Sequence, residues 1–299
     1  MITCLALSPS LDVTYLLPAL VPGEIHRPRT VLRHAGGKAL NVARAASVLG
    51  GDARAIAALG GRVGQLVGDL LGASGVAFSA VECDDETRSC LTVAADDADG
   101  LTEFYEPAGA LSDETLRRVA DLVARVPAGE RIVLAGSVPP LDLDLLVDLL
   151  RGRRLVVDTH GVALAAFLDG ASPELVKVNR SEAAALAALP GDAPLESLAD
   201  ALRQRSGGTV VITDGTAGSL ALDEHGAYRV SPDPVHGRYP VGSGDSFLAG
   251  LLVGLERGDA LPDALLLAAA SGSANAQGPG AAVFTAAQVE ESRARLVLP

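Results

Sequence analysis

Val241-Gly242-Ser243-Gly244-Asp245-Ser246-Phe247-Leu248-Ala249-Gly250 is the stretch of this sequence best suited to chemistry. Apolar residues at Phe247, Leu248, Leu251, Leu252 and Leu255 recur at helical spacing, which predicts a helix starting near Asp245. Gly242 and Gly244, with Ser243 between them, let the backbone come close to a ligand. Free N–H groups and the helix dipole at such a start favour negative charge, such as a phosphoryl group in transit. A carboxylate placed there can accept the proton of an attacking hydroxyl. The plainer alternative is that Asp245 only caps its helix.

A second cluster, Gly36-Gly37-Lys38-Ala39-Leu40-Asn41, again sets a glycine pair before a helix, now with an ammonium and an amide. It lacks the GxxxxGK[ST] spacing of a Walker A loop. The chain has only two lysines, Lys38 and Lys177, among 24 Lys and Arg residues. So strong a bias toward Arg makes each lysine a candidate for a role that a guanidinium cannot fill.

These residues need a frame. From about residue 130, short β-branched runs end in polar residues or glycine: Arg131 to Ala135, Leu155 to Val157, Glu174 to Val178 and Thr209 to Thr213. Ala- and Leu-rich helical stretches follow most of them, which implies an α/β fold with a parallel sheet covered on both faces. Such sheets bind ligands beyond the carboxyl ends of their strands. Residues 10–33 and about 86–106 alternate more weakly and suggest antiparallel strands of a small β lid. Asn41 to Leu49 reads as a helix. One domain over 1–299 with that lid is the economical organisation, and exposed lid edges would suit a homodimer.

Composition narrows the class. Of 299 residues 48% are hydrophobic and 20% charged, as in globular proteins, and a formal net charge of −13 argues against nucleic acid as partner. Cys4, Cys83 and Cys90 form no CxxC pair. No signal peptide or membrane span is expected, so the default setting is cytoplasmic. Asp158, at the end of a predicted strand, is read as a cap of the next turn.

Together the two glycine clusters resemble the signatures of the ribokinase-like (PfkB) family of carbohydrate kinases. The resemblance extends over nearly the whole chain. Ser8-Pro9-Ser10-Leu11-Asp12 is similar to the family's opening strand end. Pro22 to Arg27 and Thr87-Arg88 resemble the phosphofructokinase-like branch, and Gly136-Ser137-Val138-Pro139 its Gly-Ser-x-Pro turn. Lys177 to Glu182 resembles a Lys-Pro-Asn-x-x-Glu motif, and Thr213 to Gly218 an ATP-site loop.

The resemblance implies a ribokinase-like three-layer fold and an ATP-dependent kinase. Asp245 would be the base, with Gly242, Ser243 and Gly244 as the cradle. Asp12, Gly36, Gly37, Asn41 and Ser137 would hold the sugar, while Lys38, Arg88 and Arg27 would hold a phosphate already on it. Lys177, Asn179, Thr213, Gly215, Gly218 and Asn275 would serve the nucleotide, and Asn179 and Glu182 would reach Mg²⁺ largely through water. Fructose 1-phosphate is the first acceptor expected. Tagatose 6-phosphate, fructose 6-phosphate, or another sugar or nucleoside are the alternatives. Ser8, Ala39, Val178 and Pro240 depart from the family pattern, which keeps a catalytically inactive sugar-phosphate-binding regulator as a rival from another class. A dinucleotide-binding oxidoreductase would need a GxGxxG turn after the first strand, which is absent.

Overall fold

The structure is a computed structural model that describes residues 1–297. In chain order, β1 (Ile2–Ala6) leads into β2 (Ser10–Leu17), β3 (Thr30–Gly36) and α1 (Lys38–Val48), then β4 (Ala53–Gly60), α2 (Gly61–Ala73), β5 (Ala77–Cys83), β6 (Arg88–Ala95) and β7 (Leu101–Tyr105). Helices and strands then alternate: α3 (Asp113–Ala124), β8 (Arg131–Ala135), α4 (Leu143–Leu150), β9 (Arg154–Asp158), α5 (Gly161–Gly170) and β10 (Leu175–Asn179). Two helices, α6 (Arg180–Ala187) and α7 (Leu195–Ser206), precede β11 (Thr209–Thr213). The hairpin β12 (Ser219–Leu222) and β13 (Ala227–Val230) follows, then α8 (Ser243–Arg257), α9 (Leu261–Asn275) and α10 (Ala286–Arg293).

Nine strands make the main sheet, in the order β13-β12-β11-β10-β9-β8-β1-β4-β5. Pairing is parallel from β5 to β11 and antiparallel for the terminal hairpin. The two-residue period of each strand feeds two cores. Cys4, Val133, Val156 and Val211 pack with α1, α8 and α9, while Leu5, Leu134, Val157 and Ile212 pack with α3, α4, α5 and α7. Each fully buried side chain of this kind contributes about 1.5–3 kcal/mol. With few aromatics, small residues bring helices close instead: a Cβ on Gly250 of α8 would stand 2.7 Å from the Leu267 carbonyl oxygen of α9. That close approach holds the helix bearing Asp245.

A second sheet of four strands, β3-β2-β6-β7, stands over the first. It uses the two stretches whose alternation suggested a lid, but its central pair β2–β6 runs parallel. The reason is topological. Parallel strands β1 and β5 deliver the chain to the same end of the main sheet, and each continues into the lid within a few residues. Residues 18–29 form no strand, because Pro18, Pro22 and Pro28 offer no backbone donors. Among the described residues no helix is long and apolar enough to cross a membrane.

Candidate active site

Gly242 takes a left-handed backbone, φ 79°, and α8 begins at the next residue. A Cβ at Gly242 would lie 2.4 Å from the Ala281 methyl, so glycine is required there on both counts. Asp245 sits inside the first turn, and Gly242, not Asp245, occupies the cap position. The Asp245 side chain instead reaches across to α1, where Asn41 Nδ2 donates to its Oδ2 at 2.8 Å. It lines a cavity of about 750 Å³ between the lid and the carboxyl ends of the main strands. Burial pushes its carboxyl up to about 6, although the Lys38 charge pulls the other way.

Both lysines of the chain converge on one carboxylate. Lys38 Nζ is 2.9 Å from Asp158 Oδ1, and Lys177 Nζ is 2.8 Å from Asp158 Oδ2. Asp158 is fully buried. Burial alone would raise its carboxyl, but the two ammonium groups outweigh it and hold the group below the usual range. The expectation that Asp158 caps the next turn is therefore corrected: its side chain is spent on the lysines. Burial acts to lower the Lys38 ammonium, yet Asp158 and Asp245 together keep it above its ordinary value. Lys177 Nζ stands 2.9 Å from where a Cβ of Gly244 would be, directly over the start of α8. The ion triad thus carries a net positive charge beside the glycine-flanked helix start. Lys38 is thus held at the Asp158 and Asp245 end of the cavity.

At the lid end, a Cβ on Gly36 would overlap the Asp12 carboxyl, so glycine gives that group its room. Ser10 Oγ donates to Asp12 Oδ1 at 2.6 Å. Burial raises the Asp12 carboxyl against that bond and the Arg44 charge. Gly37, Asn41, Ser137 and Arg88 also face the cavity. Arg88 donates to the backbone oxygens of Glu106 and Ser8, at 3.2 and 3.3 Å. Its Nε, together with Ser8 Oγ and Asn41 Oδ1, is buried without a partner. Unpaired polar atoms lining one cavity are suited to meeting a polar ligand. Arg27 lies exposed on the loop between β2 and β3 and does not line the cavity. The sequence reading missed His34, Cys90, Glu103 and Tyr105, lid residues that do. The alternating pattern of β6 and β7 marks them as one face, but not which face.

At the other end, Lys177, Asn179, Thr213, Gly215 and Gly218 line the cavity. Asn179 and Glu182 form a capping box on α6: the Asn179 side chain accepts from the Glu182 N–H and Glu182 accepts from the Asn179 N–H. Only one Glu182 oxygen is used in this way, at 2.9 Å, and the residue is half-buried beside Asn179, which lines the cavity where Glu182 does not. No group of three acidic, His or Cys side chains that could hold a metal occurs among the described residues. A single carboxylate set back beside Asn179 fits Mg²⁺, which keeps several waters and is held mainly by nucleotide phosphates. Asn275 does not line the cavity. It is wholly buried behind the helix start, where its amide meets two groups of the first turn of α8 and two of the flanking loops. Of the departures, Ala39 lies within α1 and has no positive φ, so its methyl carries no backbone penalty. Val178 is a core residue of β10, and the Pro240 carbonyl accepts from the Ser243 N–H at 3.0 Å.

Comparison with known proteins places this geometry. The description "pfkB family carbohydrate kinase" matches residues 5–287. The chain is 32% identical over 280 residues, 90% of each protein, to the ATP-dependent 6-phosphofructokinase isozyme 2 of Escherichia coli (strain K12). It superposes on the crystal structure of phosphofructokinase-2 from Escherichia coli in complex with substrates and products with a TM-score of 0.92, at 31% identity and 98% coverage of both chains. The same enzyme in complex with fructose-6-phosphate gives a TM-score of 0.90 at 30% identity, again over 98% of each chain.

Proposed function

The chain belongs to the pfkB family of carbohydrate kinases, and on that premise we propose that it moves the terminal phosphoryl group of ATP to fructose 6-phosphate, giving fructose 1,6-bisphosphate. The expected ribokinase-like α/β fold and phosphotransferase class are borne out, and a sugar phosphate is the acceptor class. The observation that carries the phosphoryl-transfer reading is the buried Asp245 carboxylate, facing the cavity at the start of α8 with two lysines beside it. Fructose 1-phosphate, the first acceptor expected from the sequence, yields first place to fructose 6-phosphate because of the full-length likeness to a 6-phosphofructokinase.

In this reading Asp12, Gly37 and Asn41 orient the sugar, while Arg88 and Ser137 take the phosphate it already carries. Asp245 accepts the proton of the attacking hydroxyl. That oxygen forms a bond to the terminal phosphorus as the bond to the bridging oxygen breaks, and the electron pair leaves with ADP. The N–H groups following Gly242 and the ammonium of Lys177 face the charge spread over the transferring group. Lys38, held beside Asp245, favours its ionised form. Mg²⁺ on the nucleotide phosphates would supply charge neutralisation, with Asn179 and Glu182 as the groups of this chain that would hold it through water. Val31 and Phe104, exposed on the lid face away from the cavity, support pairing of two copies through the lid. Sedimentation of Phe104→Glu as a monomer beside a dimeric parent is the check.

A coupled assay of ADP release tests the acceptor over fructose 6-phosphate, fructose 1-phosphate, tagatose 6-phosphate, ribose and adenosine. Fructose 6-phosphate should give the highest kcat/KM. A higher value for another acceptor overturns the substrate, and binding without any turnover overturns the kinase reading.

A further inference from the structure

Asn275, the last residue of α9, has no exposed surface and uses its amide in both directions. Its Nδ2 donates to the Val241 carbonyl at 2.8 Å and to Ser243 Oγ at 3.2 Å. Its Oδ1 accepts from the Ala282 N–H at 2.8 Å and from Ser246 Oγ at 3.2 Å. The first pair of contacts flanks Gly242 on either side. The Ala282 contact fixes a residue whose own backbone is left-handed, φ 53°, next to Ala281, whose methyl fills the space beside Gly242. The Ser246 contact ties the same amide to the first turn of α8.

We propose that Asn275 is a positioning residue for phosphoryl transfer: one buried amide clamps both walls of the loop that aims the α8 N–H groups at the transferring phosphoryl. It does not touch the nucleotide. The inference rests on the reading of this helix start as the phosphoryl cradle. An amide is required because each side of the clamp needs a different polarity. A carbonyl oxygen must be met by a donor and a backbone N–H by an acceptor; the Ala282 N–H is buried and the Val241 carbonyl half-buried, so losing either bond leaves a poorly paired polar group. Catalytic donors act through fixed aim at charge that develops in the transition state. A loosened loop should therefore weaken transition-state binding more than nucleotide binding.

Asn275→Ala and Asn275→Asp test this, the second keeping volume and acceptor while losing both donations. We expect kcat to fall about 10- to 100-fold in each. By calorimetry, ADP affinity should stay within about twofold and the stoichiometry at one per chain, whereas the complex of ADP, aluminium fluoride and fructose 6-phosphate should weaken in proportion to kcat. Unchanged kcat overturns the proposal. So does a kcat loss matched by lost stoichiometry, which marks unfolding, or by lost ADP affinity, which marks direct nucleotide contact. Asp245→Asn run in parallel separates the two levels: if it keeps the parent's rate, the reading of this helix start as the reacting end fails, whatever Asn275 does.

Discussion

At Asp245 burial and charge pull in opposite directions, and the pH dependence of the enzyme should show the balance. With its carboxyl near 6, the group is ionised at neutral pH but loses its capacity to accept a proton as pH falls. The acidic limb of kcat/KM should have its midpoint near pH 6, and Asp245→Asn should cost about 10²- to 10⁴-fold in rate. Lys38→Met removes the charge that opposes burial, so the limb should move upward by on the order of one pH unit as kcat drops. A limb that stays in place would show that Lys38 does not set the base. The same residue carries a cost in stability. Its folded value lies above the unfolded one of about 3.9, so the penalty on its ionised form is absent below about pH 4 and complete above about pH 6. Asp245→Asn should therefore raise unfolding free energy at pH 8 by about 3 kcal/mol and do little at pH 4. Equal effects at both pH values, followed by chemical denaturation, would contradict this.

Among the elements, the loop between β13 and α8 does more than border the cavity. Its Arg238 donates to the backbone oxygens of Ala95 and Ala98, the latter at 3.1 Å, in the turn between β6 and β7. Asp96 in that turn is also gripped by Arg29, the residue just before β3. A guanidinium from the catalytic side thus latches the far end of the lid. Hydrogen bonds to a charged donor contribute about 1.5–3 kcal/mol. Arg238→Ala should speed amide exchange in the Asp96 to Gly100 turn by about tenfold or more, with the main sheet unaffected. Exchange that stays at the parent rate would remove the latch. This contact could not be foreseen in the sequence, since it joins residues some 140 apart. Strands β8 to β11 were legible because short β-branched runs ending in polar residues have few other uses. The parallel pairing of β2 and β6 was not, because strand direction depends on where the main sheet releases the chain. Asp158 was hidden for a similar reason. Only the scarcity of lysine hinted at its partners, and its pairing with Lys38 spans 120 residues. Asn275 ends α9, and its role is made by segments that only the fold brings to it.

For the whole molecule, a net charge of −13 opposes the substrates the site is built to hold. A sugar phosphate and a nucleotide are both anions, and the lysines and arginine that line the cavity are few and local: Lys38, Lys177 and Arg88. These two influences differ in range, which makes them separable by salt. The Debye length shrinks from about 30 Å at 0.01 M ionic strength to about 8 Å at 0.15 M. Distant surface carboxylates then fade from the field at the cavity, while partly buried ammonium groups a few ångströms from the ligand are screened far less. Added salt should accordingly help: KM for the sugar phosphate should fall about two- to fivefold across that interval, with kcat nearly constant. If instead KM rises with salt, the near cations already dominate at low ionic strength, and the global charge has no hold on substrate capture.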